Sequence, residues 1–245
     1  MQSQTAVTLV AVRYTFTYKI PPDATGTYAV GMEGYVMETI AGVEAPVRVA
    51  AFNPVAYVAL DGGKPVARRQ LVDRELCNAC HKSLALHGTV RQNTEYCVLC
   101  HNPMGTDEAR RPPEAMPPTS INFRVLIHRL HRGEEANNPL VVYGFGGNKF
   151  DFGNVIFPGD LAACQTCHLA GTYDLPLPGG VLSTTVTQAG RVISTTLPIR
   201  SVCTACHDSV PVAGHVELMT TASGLETCEV CHGVGSEFDV IRVHR

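Results

Sequence analysis

A chain of 245 residues with 19 Lys and Arg against 22 Asp and Glu carries a formal charge of −3 and no basic cluster, so nucleic acid is not an expected partner. No stretch approaches the roughly 18 consecutive apolar residues of a helical membrane span, and the polar opening Met1-Gln2-Ser3-Gln4 lacks both the basic and the apolar region of a secretion signal. All ten cysteines lie between Cys77 and Cys231, and no histidine precedes His81, so composition alone divides the chain near residue 72.

Residues 5–72 read as strands separated by turns. Thr8, Val10, Val12, Tyr14, Phe16, Tyr18 and Ile20 alternate with smaller or more polar positions, and Pro21 to Gly26 ends the run with turn chemistry. Strands are expected near 27–39, 46–60 and 64–72, the last two joined as a hairpin across Asp61-Gly62-Gly63. The fold class expected for residues 1–72 is therefore a small antiparallel β domain, sandwich-like or split-barrel-like. It is read as partial, with further strands upstream or on another chain.

Residues 73–245 are expected to be mostly irregular with few short helices. Turn residues are frequent, as in Arg111-Pro112-Pro113-Glu114-Ala115-Met116-Pro117-Pro118. One helix stands out: Thr119 or Ser120 would cap it, Phe123, Leu126, Ile127 and Leu130 repeat at helical spacing, and Gly133 would stop it. A hairpin is expected over Val141 to Phe157, turning around Gly144 to Asn148, and a short strand pair over Thr184 to Leu197.

The motif that carries chemistry is Cys-x-x-Cys-His, and it occurs five times: Cys77 to His81, Cys97 to His101, Cys164 to His168, Cys203 to His207 and Cys228 to His232. In this spacing two thiols, here Cys77 and Cys80, Cys97 and Cys100, Cys164 and Cys167, Cys203 and Cys206, Cys228 and Cys231, add to the vinyl groups of one haem. The adjacent histidine, His81, His101, His168, His207 or His232, is held beneath the iron as proximal ligand. Structural zinc and disulfides also use paired cysteines, but neither requires a histidine directly after the second cysteine. Five covalently attached haem c groups are expected. With two propionates and one ferric charge each, they take the formal charge to about −8, so some Arg and Lys should pair with propionates.

Five histidines remain for five distal positions: His87, His128, His131, His215 and His244. His128 and His131 share a face of the expected helix and could serve two adjacent haems. His87 and His215 follow motifs so closely that each is expected to serve a neighbouring haem rather than its own. Met104, Met116 and Met219 are alternative axial ligands. With histidine on both faces of every iron, no coordination site stays open, and the chemistry left is outer-sphere electron transfer with no catalytic residue. The alternative is a multihaem reductase of the nitrite or hydroxylamine type with one open haem.

Several blocks also resemble a known family. Leu71-Val72-Asp73 before the first motif, Leu86-His87-Gly88, Cys97 to Pro103, Leu126-Ile127-His128-Arg129-Leu130-His131-Arg132-Gly133, Phe157-Pro158-Gly159-Asp160-Leu161, Tyr173 to Pro178 and Val243-His244 are similar to the OmcA/MtrC family of outer-surface multihaem cytochromes. That resemblance implies β domains alternating with pentahaem domains, bis-histidine haems, and extracellular electron transfer. Its partners would be metal oxides, flavin-like soluble shuttles or other cytochromes. It also implies export to the cell surface, with a signal outside this numbering. A truncated β unit further suggests a filament, or nanowire, built from copies of the chain.

Overall fold

Strand-forming residues between Thr27 and Ala59 fold back on themselves as one long ribbon. In the computed structural model, which describes residues 17–244, β1 (Thr27–Gly31) pairs antiparallel with β4 (Val55–Ala59), Thr27 opposite Ala59. Inside that pair, β2 (Tyr35–Glu38) pairs with β3 (Val47–Ala50), Tyr35 opposite Ala50. The ladder breaks around Pro54, which has no N–H to donate. It is bridged by Met32 N to Pro54 O at 3.1 Å and Ala51 N to Gly34 O at 3.0 Å.

Two expectations change here. The strands near 27–39 and 46–60 are each split in two, and residues 64–72 form no strand. Asp61-Gly62-Gly63 does turn, with Gly62 at φ 76° and Gly63 N donating to the Asp61 carboxylate at 3.0 Å. Beyond it, however, Pro65 removes a donor, Val66 N is taken by the Thr27 hydroxyl at 3.0 Å, and Val72 bridges to His168. Among the described residues the β unit is this ribbon, with no closed barrel. The strand expected on Thr8, Val10, Val12, Tyr14 and Phe16 lies outside the described residues.

Past residue 72, short helices carry most of the motifs. Asp73 caps α1 (Arg74–His81) by accepting Glu75 N at 2.9 Å, and Asn93 caps α2 (Thr94–Cys100) by accepting Glu95 N at 3.0 Å. Helix α3 (Phe123–Arg132) begins at Asn122 rather than Thr119 or Ser120. The buried Asn122 side chain gives its N–H to Thr184 at 2.7 Å instead of capping the helix. Gly133 ends α3 at φ 46°, where an added Cβ would strike the Val155 carbonyl.

Both expected hairpins are present: β5 (Val141–Tyr143) with β6 (Lys149–Asp151), and β7 (Thr184–Gln188) with β8 (Arg191–Thr196). The second turns through Ala189 and Gly190, both at positive φ as a tight hairpin turn requires. Helices α4 (Pro198–Cys206), α5 (Val210–Leu218), α6 (Glu229–His232) and α7 (Val240–Val243) follow. Glu226 caps α4 from outside, accepting Ile199 N at 2.9 Å and Arg200 N at 2.5 Å. None of the described helices is long and apolar enough to cross a membrane.

Two polar knots hold the parts together. Asn53, fully buried, donates to Val90 O at 3.0 Å and accepts Gln92 N at 2.7 Å, fixing the ribbon to the segment before α2. Glu33 adds Arg91 at 2.8 Å and the Tyr96 hydroxyl at 3.1 Å. Farther on, the Asp107 carboxylate takes Arg111 Nε at 3.0 Å, Thr119 N at 2.8 Å and Tyr143 N at 2.9 Å, with both side chains almost wholly buried.

Candidate functional site

The second cysteines and histidines of the first, second and fourth motifs fall at the C-terminal ends of α1, α2 and α4. The third motif lies in a 3-10 turn at Cys164–Thr166, and α6 carries the end of the fifth. A Cys-x-x-Cys-His stretch on one helical turn puts both thiols and the imidazole on one side of the backbone. None of the ten cysteines is in a disulfide.

Each motif histidine faces one histidine from outside the motifs. The ring centroids are 6.1 Å apart for His81 and His131, 5.9 Å for His101 and His87, 5.9 Å for His168 and His128, 5.8 Å for His207 and His244, and 6.2 Å for His232 and His215. With metal–nitrogen bonds of about 2 Å, two imidazoles on opposite faces of one metal place their centroids about 6 Å apart. Among the described residues no three His, Cys, Asp or Glu converge on a bare metal ion, which is what zinc would need. His128 and His131, on one helix, face the third and the first motif respectively. Met104, Met116 and Met219 enter none of these pairs.

Second partners orient the rings. Nδ1 is engaged by Ile121 O for His101 at 2.9 Å, Arg124 O for His128, Ile127 O for His131 at 2.9 Å, Phe238 O for His232 at 3.1 Å and Val240 O for His244 at 3.0 Å. His168 Nδ1 meets the Thr172 hydroxyl at 3.4 Å. With Nδ1 so engaged, Nε2 is left to ligate, as second-shell partners do at metal-bound histidines. Burial lowers the pKa of His87, His101, His128, His131, His168 and His207, to about 4 at His168, which favours the neutral ring, the form that binds metal.

Sequence reasoning missed the aromatic walls Phe123, Phe157, Tyr173 and Phe238, which lie 6.5, 5.6, 5.7 and 6.2 Å from the His101, His131, His168 and His232 rings. Their only signal was position, close in sequence to a motif or to the histidines of α3.

Motifs also neighbour one another. Burial raises the pKa of seven thiols, to about 12 at Cys203. Adjacent thiols add to this: Cys77 feels Cys167 and Cys97, Cys167 feels Cys80, Cys206 feels Cys164, and Cys203 feels Cys228.

The polypeptide also fits a tetrapyrrole-filled interior. Its buried apolar side chains among the described residues are Val90, Leu126, Leu140, Leu175, Ile199 and Ala205, a small core for a chain of this length. Flat apolar groups between the histidine pairs are what such an arrangement of side chains can enclose.

Compared with known families, residues 69–245 match the description "Outer membrane cytochrome MtrC/MtrF-like, domains II/IV". The chain belongs to this family. Among relatives of the MtrC/MtrF-like cytochromes, the multiheme cytochrome MtrC of Shewanella baltica (strain OS185) is 26% identical over 212 residues, 80% of this chain. The chain spans 27% of that protein's length. The crystal structure of MtrC from Shewanella baltica OS185 aligns with a TM-score of 0.48 at 20% identity, covering 84% of this chain and 34% of that one. As an MtrC/MtrF-like cytochrome, the chain is of the multihaem c type and binds haem c.

Proposed function

We propose that residues 73–245 are a pentahaem electron-transfer domain and residues 1–72 part of a β domain that carries it. The observation behind this reading is that five motif histidines face five other histidines, each used once, at the separation two axial ligands need. The ten motif cysteines hold five haem c, with His81, His101, His168, His207 and His232 as proximal ligands. The distal ligands are, in the same order, His131, His87, His128, His244 and His215. When bound, each haem supplies a one-electron ferric/ferrous couple.

Histidine on both faces leaves no position for a substrate at the metal, so the residues favour outer-sphere exchange over bond-making catalysis. Helix α3 brings the first and third sites together by giving one histidine to each. The domain passes electrons between its sites at the outer cell surface, to metal oxides, soluble shuttles, other cytochromes or further copies of itself in a filament. The family match agrees with an exported protein.

Intact mass spectrometry should give an increment of five haems that resists acidified organic solvent, and the ferric spectrum should be wholly low-spin. A high-spin fraction that binds cyanide or nitrite would replace this reading with the reductase. Light scattering at high concentration tests the filament, which monomers alone would exclude.

A further inference from the structure

Helix α3 holds two guanidinium groups that the protein itself leaves short of acceptors. The Nε atoms of Arg124 and Arg132 are buried without a hydrogen-bond partner among the described residues. Arg132, next to His131, makes no hydrogen bond there; its nearest carboxylate, Asp208, stands 3.8 Å away. Asp208 is already engaged by Asn137 Nδ2 at 2.8 Å and Asn138 N at 2.9 Å, so it is a poor match for an arginine fork. Asp208 directly follows His207, so Arg132 stands beside the fourth motif.

Arg124 is similar. One terminal nitrogen reaches Leu182 O, and burial, then Arg68, lower its pKa, with Glu226 opposing. Glu226, however, is occupied by the N-terminus of α4. The backbone carbonyl of Arg124 also orients His128.

A partly desolvated guanidinium with idle donors is costly unless an anion meets it, and a planar carboxylate matches its fork with two parallel hydrogen bonds. The bland alternative is that Arg132 merely balances Asp208. That separation exceeds hydrogen-bonding distance and leaves Nε unused. We propose that Arg132 is the seat for a propionate of the haem at the fourth motif. Helix α3 would then supply a ligand to each of two sites and charge-matched anchoring to a third. The inference rests on the haem ligation proposed above.

The test uses the complete holoprotein in four forms: unaltered, Arg132→Gln, Arg132→Lys and, as control, the exposed Arg191→Gln. Intact mass reports haem count, and spectroelectrochemical titration reports the five midpoint potentials. Losing a cation beside a propionate favours the ferric state. Arg132→Gln should therefore lower one potential by up to a tenfold change in the oxidised-to-reduced ratio, about 59 mV for one electron. Arg132→Lys should recover part of that shift, and Arg191→Gln should leave all five potentials in place. Unmoved potentials in a five-haem Arg132→Gln protein overturn the assignment. If that variant fails to load haem, a structure of the unaltered holoprotein decides: a propionate bonded to Arg132 supports the assignment, and none within hydrogen-bonding reach overturns it. Fewer than five haems on the unaltered chain would instead refute the ligation itself.

Discussion

Replacing Asp107 by Asn should loosen the segment between the second motif and α3 more than any change to its few buried apolar side chains. The carboxylate side chain is 1% exposed and the Arg111 side chain 7%. Between them they tie Thr119 N, Tyr143 N, Ala115 O, the Thr119 hydroxyl and Val141 O. Asp107→Asn leaves a buried guanidinium without its counter-charge, which costs roughly 3–5 kcal/mol. Arg111→Met strands the carboxylate at a similar cost of roughly 3–5 kcal/mol.

The double variant removes both charges, so it should cost less than the sum of the two by about 1–3 kcal/mol. Hydrogen exchange of the Thr119 and Tyr143 amides in the holoprotein is the assay, because these N–H groups donate to the carboxylate itself. A 3 kcal/mol loss in local opening corresponds to roughly a hundredfold faster exchange. Exchange unchanged in Asp107→Asn, or a strictly additive double variant, would show that the ion pair does not hold this segment.

Asn53→Ala leaves Val90 O and Gln92 N unsatisfied, at about 1–3 kcal/mol each, and should expose residues 85–93 to exchange or protease while the third to fifth motifs stay protected. His131→Ala should yield one high-spin haem that binds carbon monoxide, read by optical titration; a fully low-spin spectrum would contradict its pairing with His81. The Glu33 carboxyl is held below its ordinary pKa, first by its hydrogen bond to Arg91, with burial opposing. A depressed folded pKa contributes stability above the unfolded value, about 4.5, that is lost as pH falls through the folded value. Acidification from pH 4.5 down through the folded-state value should therefore loosen the ribbon's contact with α2, as read by cross-linking between them. Glu33→Gln should show that loosening already at neutral pH.

Much of the local structure was legible because its causes are local. The turn at Ala189-Gly190, the hairpin at Gly144 to Asn148 and the periodic stripe of α3 are each written in adjacent residues. The pairing of β1 with β4 was not. It depends on Thr27 claiming Val66 N and on Asn53 anchoring the ribbon's bend, both long-range contacts. The start of α3 is hidden for the same reason, since Asn122 gives its side chain to distant Thr184. At the sites, the motifs could be read from spacing, but nothing in the sequence says that His131 faces His81 while His128 faces His168. That allocation follows from where α3 crosses the first and third motifs. The roles of Phe157 and Tyr173 were hidden likewise, because an aromatic ring beside an imidazole has no spacing rule of its own.

Having His128 and His131 on one ten-residue helix has a consequence for how this protein can vary. In the proposed ligation, two ligand directions are set by one rigid rod, so a kink or rotation of that rod would disturb both sites together. Backbone drift is thus a poor means of adjusting either one alone. Differences in driving force between the first and third sites must arise from what surrounds each ring, such as Phe157 on one side and Tyr173 with Thr172 on the other. Such side chains can be exchanged one at a time without disturbing the rod's alignment.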